Sequence, residues 1–191
     1  MFSLPDFLSR HDQKDIFFID EREVLPFSGY PRGLETNKTV LTVLQVTEKN
    51  DKLSDNYKVE LDPILPYFGN FRTYLSDFES MVEHGSIRPV QRLTSSVTPA
   101  RLDSLLDESS VVLMDGFIPK QFLGLKYVPK DSRSFTTTFC VKKIGKNSVE
   151  LAAADASFAD IKIDKAELAD LINTTRAACF LRLETETLVA A

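Results

Sequence analysis

Side chains that do chemistry near neutral pH are scarce in this chain. Its 191 residues include two histidines, His11 and His84, and two cysteines, Cys140 and Cys179. Histidine is the usual acid–base group at this pH, and neither one stands in a recognisable catalytic pattern. His11, between Arg10 and Asp12, reads as a solvated turn residue. His84 falls in the last turn of an apolar helical pattern, where a cationic ring complements the helix dipole. Two Cys and two His this far apart match no zinc spacing, and the acidic residues reproduce no EF-hand loop. The seven glycines are scattered, with no G-x-x-x-x-G-K or G-x-G-x-x-G to cradle a phosphate. No G-x-S-x-G nucleophile elbow occurs, and Cys140 lacks a histidine context. These gaps argue against an enzyme, a bound metal or a nucleotide cofactor.

Long apolar runs are missing as well. Residues 1–8 have neither a basic n-region nor an apolar h-region, and no later segment approaches membrane-spanning length. The expectation is a soluble intracellular, cytoplasmic protein with no membrane partner, or a virion protein if the source is a virus. Without a secretory signal, Asn37-Lys38-Thr39 and Asn173-Thr174-Thr175 read as chance matches to a glycosylation sequon. Cys140 and Cys179 lie in apolar, strand-like runs, which suits reduced, packed thiols better than a disulfide.

What the chain does have is core material: 43% of its residues are hydrophobic and fourteen are Phe. That supports one domain or two closely packed halves. A short helix is predicted from Ser3, as N-cap, to Arg10. Strands are predicted over 15–19 and over 39–47, the latter apolar on both faces, and a half-exposed strand over 57–61. The clearest helical stripe is Phe71, Tyr74, Leu75, Phe78, Met81 and Val82, with Asn70 as cap and Gly85 just past its end. Thr98 and Pro99 start another helix that turns Leu102, Leu105 and Leu106 inward. A strand over 111–114 closes on Asp115-Gly116.

From Gly124 onward the pattern is mostly β, with strands over 125–128, 135–144 and 148–153 and one ending in Ile161 and Ile163. The second and third of these are joined across Gly145-Lys146-Asn147. Asp164 then opens a capping-box helix with Glu167 at N3, and a last strand covers 179–184 with Cys179, Leu181 and Leu183 on one face. The fold expected is α+β: a mixed α/β part, residues 1–116, packed on a β-rich part, 117–191, of small-barrel-like β-β-β-β-α-β order. No fixed-period repeat stands out in the residues.

Acidic candidates have plain explanations. Asp20 to Glu23 interleaves with Arg22, and Asp103 to Glu108 lies on a helix exterior, so both read as solvated faces. Asp115 resembles a carboxylate delivered at a strand end, but Asp-Gly there is first a turn former.

The feature that survives is electrostatic. Lys120, Lys126, Lys130, Arg133, Lys142, Lys143 and Lys146 face one acid, Asp131, a local charge of +6 in a chain whose formal net charge is −5. Such a strip is the expected partner-binding surface. The interleaved Phe135 and Phe139 share one side of their strand with Val141, which turns them toward the core and away from stacking on bases. The overall pI near 5.1 is also low for a dedicated nucleic-acid domain. The reading that follows is a structural or adaptor subunit of a larger assembly, with a phage or virus particle (head, neck or tail) as its setting. Its partners would be other protein subunits, including copies of itself. The alternative is a nucleic-acid-binding regulator or replication factor that uses the same strip.

Overall fold

The computed structural model describes residues 4, 8–9, 16–19, 39–47, 58–63, 71–94, 96–115, 136–154 and 159–183. It divides into a first compact unit, residues 14–90, and a second, residues 1–13 with 91–191. The protein is α+β, and the strand pairs within each unit are antiparallel. In the first unit the strands are β1 (Ile16–Ile19), β2 (Thr39–Thr47), β3 (Lys58–Pro63), β4 (Phe71–Tyr74) and, after helix α1 (Leu75–Glu83), β5 (Ile87–Arg92), whose Gln91 and Arg92 belong to the second unit. They are ordered β4-β3-β2-β1-β5. In the second unit helix α2 (Pro99–Leu105) precedes β6 (Val111–Asp115), β7 (Thr136–Ile144), β8 (Ser148–Ala153) and β9 (Ile161–Asp164). Helix α3 (Lys165–Asn173) and β10 (Ala177–Arg182) complete it, in the order β9-β8-β7-β6-β10.

Each unit is therefore the same β-β-β-β-α-β module, and the match extends to single residues. Phe17 lies opposite Leu41 and Pro89, as Val112 lies opposite Phe139 and Cys179. Both second strands carry a bulge at the same place: the pairing jumps from Val43 to Gln45 against Leu61 and Glu60, and from Val141 to Lys143 against Leu151 and Glu150. The longest identical run, Val59-Glu60-Leu61 and Val149-Glu150-Leu151, is the stretch that faces these bulges. Matched residues are 95 apart at Ile16 and Val111, 98 apart at Thr42 and Cys140, and 90 apart from Val59 and Val149 onward. No single period fits them, which is why the repeat is invisible to a fixed-period search of the sequence.

The bulge solves a patterning problem. In a regular strand Phe139, Val141 and Lys143 would all face the core. One extra residue resets the alternation, so Lys142 and Lys143 are both exposed and Ile144 comes opposite the buried Val149.

The cores correspond as well. In the first unit Ile19, Val59, Leu61, Phe78, Met81 and Ile87 cluster under α1. The matched residues Met114, Val149, Leu151, Leu168, Leu171 and Ala177 belong to the larger cluster of the second unit, which α2 extends with Leu102 and Leu106. Positions 168 and 177 carry smaller residues than Phe78 and Ile87, and Leu102 and Leu106 belong to the same cluster. As the sequence predicts, Thr98 caps α2, accepting from the Arg101 N–H at 3.3 Å, and Leu102 is fully buried; Leu105, expected inside, is exposed.

Several other expectations need correction. Phe71 to Tyr74 fit a helical stripe, but they pair with Leu61 to Lys58 as β4, and the helix starts only at Leu75. A ladder of backbone hydrogen bonds to β3 outweighs a local 3.6-residue pattern. The structure adds a strand not predicted from the sequence, Ile87–Arg92, with Pro89 inside it. Asp164 is the N-cap of α3 in extended conformation, yet its side chain makes no capping hydrogen bond. β10 is buried at Ala177, Ala178, Cys179 and Phe180 alike, so both of its faces are covered there and it does not alternate. The β-rich part is an open sheet: among the described residues no pairing joins β9 back to close a barrel. β6 pairs with β7 and β10. The expected strand over 125–128 lies outside the described residues, as does most of the expected helix at 3–10; within the latter span Leu4 is helical and buried.

Candidate partner-binding site

The β7–β8 connection is a three-residue turn, closed by the Gly145 N–H donating to the Ser148 carbonyl at 2.8 Å. A Cβ on Gly145 would stand 3.2 Å from that same carbonyl, so glycine is what allows the close approach. The turn is held from beneath by one residue. Lys165 donates from its backbone N–H to the Asn147 carbonyl at 2.9 Å and from its Nζ to the Lys146 carbonyl at 3.2 Å, and the same Nζ is hydrogen-bonded to the Asp103 carboxylate.

Lys165 is 3% exposed although it is the first residue of α3, an end of the helix that disfavours positive charge. Its position is explained by its partners. The matched residue in the first unit is Leu75, half-buried against that core. Lys165 thus occupies an apolar slot and ties α2, α3 and the hairpin together. Around it lies a cleft of about 430 Å³ whose walls include Pro99, Asp103, Lys146, Asn147, Asp164 and Ala166.

Of the seven basic residues of the predicted strip, Lys120, Lys126, Lys130 and Arg133 lie outside the described residues. Lys142, Lys143 and Lys146 are brought together by the bulge and the turn, and all three are exposed. Lys142 pairs with Asp160 at 3.0 Å, both side chains more than half exposed, an arrangement of little net strength. Lys143 stands opposite Glu150 in the ladder, and Lys146 lines the cleft. The hairpin is therefore basic at its tip and mixed in sign along its strands. Phe139 is fully buried, as the strand alternation predicts, and offers no stacking surface.

Residues weighed as chemical candidates fall elsewhere. His84 is the C-cap of α1, its Nδ1–H donating to the Ser80 carbonyl at 2.7 Å. Asp115 ends β6 opposite Thr136. Cys140 and Cys179 are not joined in a disulfide, and burial, with the Asp107 charge second, pushes the Cys179 thiol up to about 12. Among the described residues no three His, Cys, Asp or Glu side chains converge as a metal site would require, and no helix is long and apolar enough to cross a membrane.

Sequence reasoning missed Lys165 and treated Asp103 as a solvated acid. One signal was present: a lysine directly after Asp164, at the first position of a helix start where an acid or a neutral residue is favoured. No protein family, curated protein or solved structure matches the chain.

Proposed function

We propose that the protein is a non-enzymatic structural or adaptor subunit that meets an acidic surface of another subunit, or of another copy of itself, through the Lys142, Lys143 and Lys146 hairpin. A phage or virus particle is the setting this reading favours. The observation that carries it is the support beneath the hairpin. Lys165 binds the carbonyls of Lys146 and Asn147 at once, so the turn that carries Lys146, next to Lys142 and Lys143 at the end of β7, is braced. A braced cationic projection loses little conformational entropy on docking, and the acidic balance of the remaining chain supplies the complementary sign for copy-to-copy contact.

Sedimentation of the full chain, wild type against Lys142→Gln/Lys143→Gln/Lys146→Gln, tests the reading together with binding to single- and double-stranded oligonucleotides at two salt concentrations. Self-association or subunit binding that the triple variant loses supports it. A monomeric chain whose salt-sensitive oligonucleotide binding disappears in that variant replaces it with the nucleic-acid reading.

A further inference from the structure

A second cleft, of about 250 Å³, opens in the second unit between the end of β5 and the C-terminal end of α3. Its walls include Arg92, Thr94, Ser96, Ile172, Asn173 and Thr175, with no acidic residue among the described residues that line it. Arg92 is half-buried, and no acidic side chain pairs with it among the described residues. Burial lowers the pKa of its guanidinium, though arginine stays charged regardless. A partly desolvated cation without a counter-charge is costly, and an anion that reaches it recovers that cost.

Two comparisons with the first unit set this place apart. The residue matched to Asn173 is Glu83, so an acid present at the helix end in one unit is replaced by an amide in the other. That amide is already fixed, accepting from the Val97 N–H at 2.9 Å and donating to the Val97 carbonyl at 2.8 Å. The residue matched to Thr175 is Gly85, and both have positive φ, +78° at the glycine and 57° at the threonine. A β-branched residue in this region is strained, and such strain concentrates at binding sites. The carbonyls at the helix end do not repel an anion unshielded, since Asp170, Leu171 and Ile172 accept from Thr174, Arg176 and Thr175.

We infer that this cleft is a binding site for a single oxyanion group, a carboxylate or a phosphate, held by the Arg92 guanidinium with the Thr94 and Ser96 hydroxyls as further donors. The volume admits one such group and not a nucleotide. Planar guanidinium matches both oxyanions bidentately, so the chemistry is common to the two sources. The inference is independent of what the lysine hairpin binds.

The test is a titration of the full ¹⁵N-labelled chain with inorganic phosphate and, separately, with acetate, followed by amide shifts. Saturable shifts centred on Thr94, Ser96 and Thr175 are expected with at least one of them. The tighter of the two identifies the source, a phosphate or an acidic side chain. Arg92→Lys, which keeps the charge and the fold, is expected to weaken binding roughly tenfold through loss of the bidentate fork, and Arg92→Gln to abolish it. Shifts that never saturate with either anion, or that persist unchanged in Arg92→Lys and Arg92→Gln, overturn the site.

Discussion

Lys165 and Asp103 form an ion pair that is buried at one end and wet at the other: the lysine side chain is 4% exposed and the aspartate 61%. The two partners therefore differ in what their loss costs. Removing the aspartate strands a charge in the interior, whereas removing the lysine leaves a carboxylate in water.

Asp103→Ala is expected to lower stability by about 1 to 2 kcal/mol, because the buried ammonium keeps only the Lys146 carbonyl. Lys165→Met, similar in volume and apolar like the matched Leu75, should stay within about 1 kcal/mol of wild type. The double variant should unfold with Lys165→Met, not at the sum of the two losses. Urea unfolding measures all three. A Lys165→Met variant less stable than Asp103→Ala would show that the ammonium itself, and not its demand for a partner, holds the three elements together.

Gly85 and Thr175 test the repeat from the backbone. At Gly85 a Cβ would meet nothing within 4 Å, so Gly85→Ala isolates the conformational cost of positive φ, about 1 kcal/mol. Thr175→Gly should instead gain about 0.5 kcal/mol, since relief of strain exceeds the added entropy of the unfolded chain. Thermal or urea unfolding decides the signs; equal signs for both variants would rule out the equivalence of the two helix ends.

Asp107 predicts an acid-side loss of stability. Its carboxylate is opposed by desolvation but accepts from the Ser109 N–H at 2.8 Å, the Ser109 hydroxyl at 2.6 Å and the Ser110 hydroxyl at 3.1 Å, and the net result is a pKa below the ordinary 3.8. The folded state then binds its proton less readily than the unfolded state. The stabilisation is present above about pH 4 and is lost as pH falls through the lowered folded value. Asp107→Ala should cost about 1 kcal/mol at pH 7, kept small by solvent screening, and the gap to wild type should narrow at pH 3. A gap that does not change with pH would place the effect in packing of the turn.

The two thiols should separate in a labelling experiment. Cys140 is partly exposed and should react with a thiol reagent in the folded protein at pH 8, while Cys179, buried and raised to about 12, should react only at the rate of unfolding. Equal rates would mean that β10 opens locally.

Much of the fold was legible because its signals are local. Val111 to Met114 is a continuous apolar run, Ser148 to Ala153 alternates, and the Thr98-Pro99 start carries a cap, signals that need no distant partner. What escaped was decided elsewhere in the chain. Phe71 to Tyr74 become a strand because β3 offers them a ladder, and Pro89 is accepted beside Phe17 of β1. The repeat escaped because it lies in register and bulge position, while side chains at matched sites differ as much as Phe78 from Leu168. Of the basic strip, the exposure of Lys142, Lys143 and Lys146 follows from a bulge that alternation alone does not announce. The lysine that braces them looked like an ordinary surface residue, since only tertiary packing buries it.

The bulge shared by β2 and β7 has a consequence for how the two units diverge. Ten residues join β2 to β3, and three join β7 to β8, yet the ladder resumes in the same register in both. Pairing here is set by the Val-Glu-Leu strand and its bulge, not by the length of the turn. That corner is free to lengthen, shorten or change charge without disturbing the sheet beneath it, so each unit can acquire its own partner while the framework stays constant.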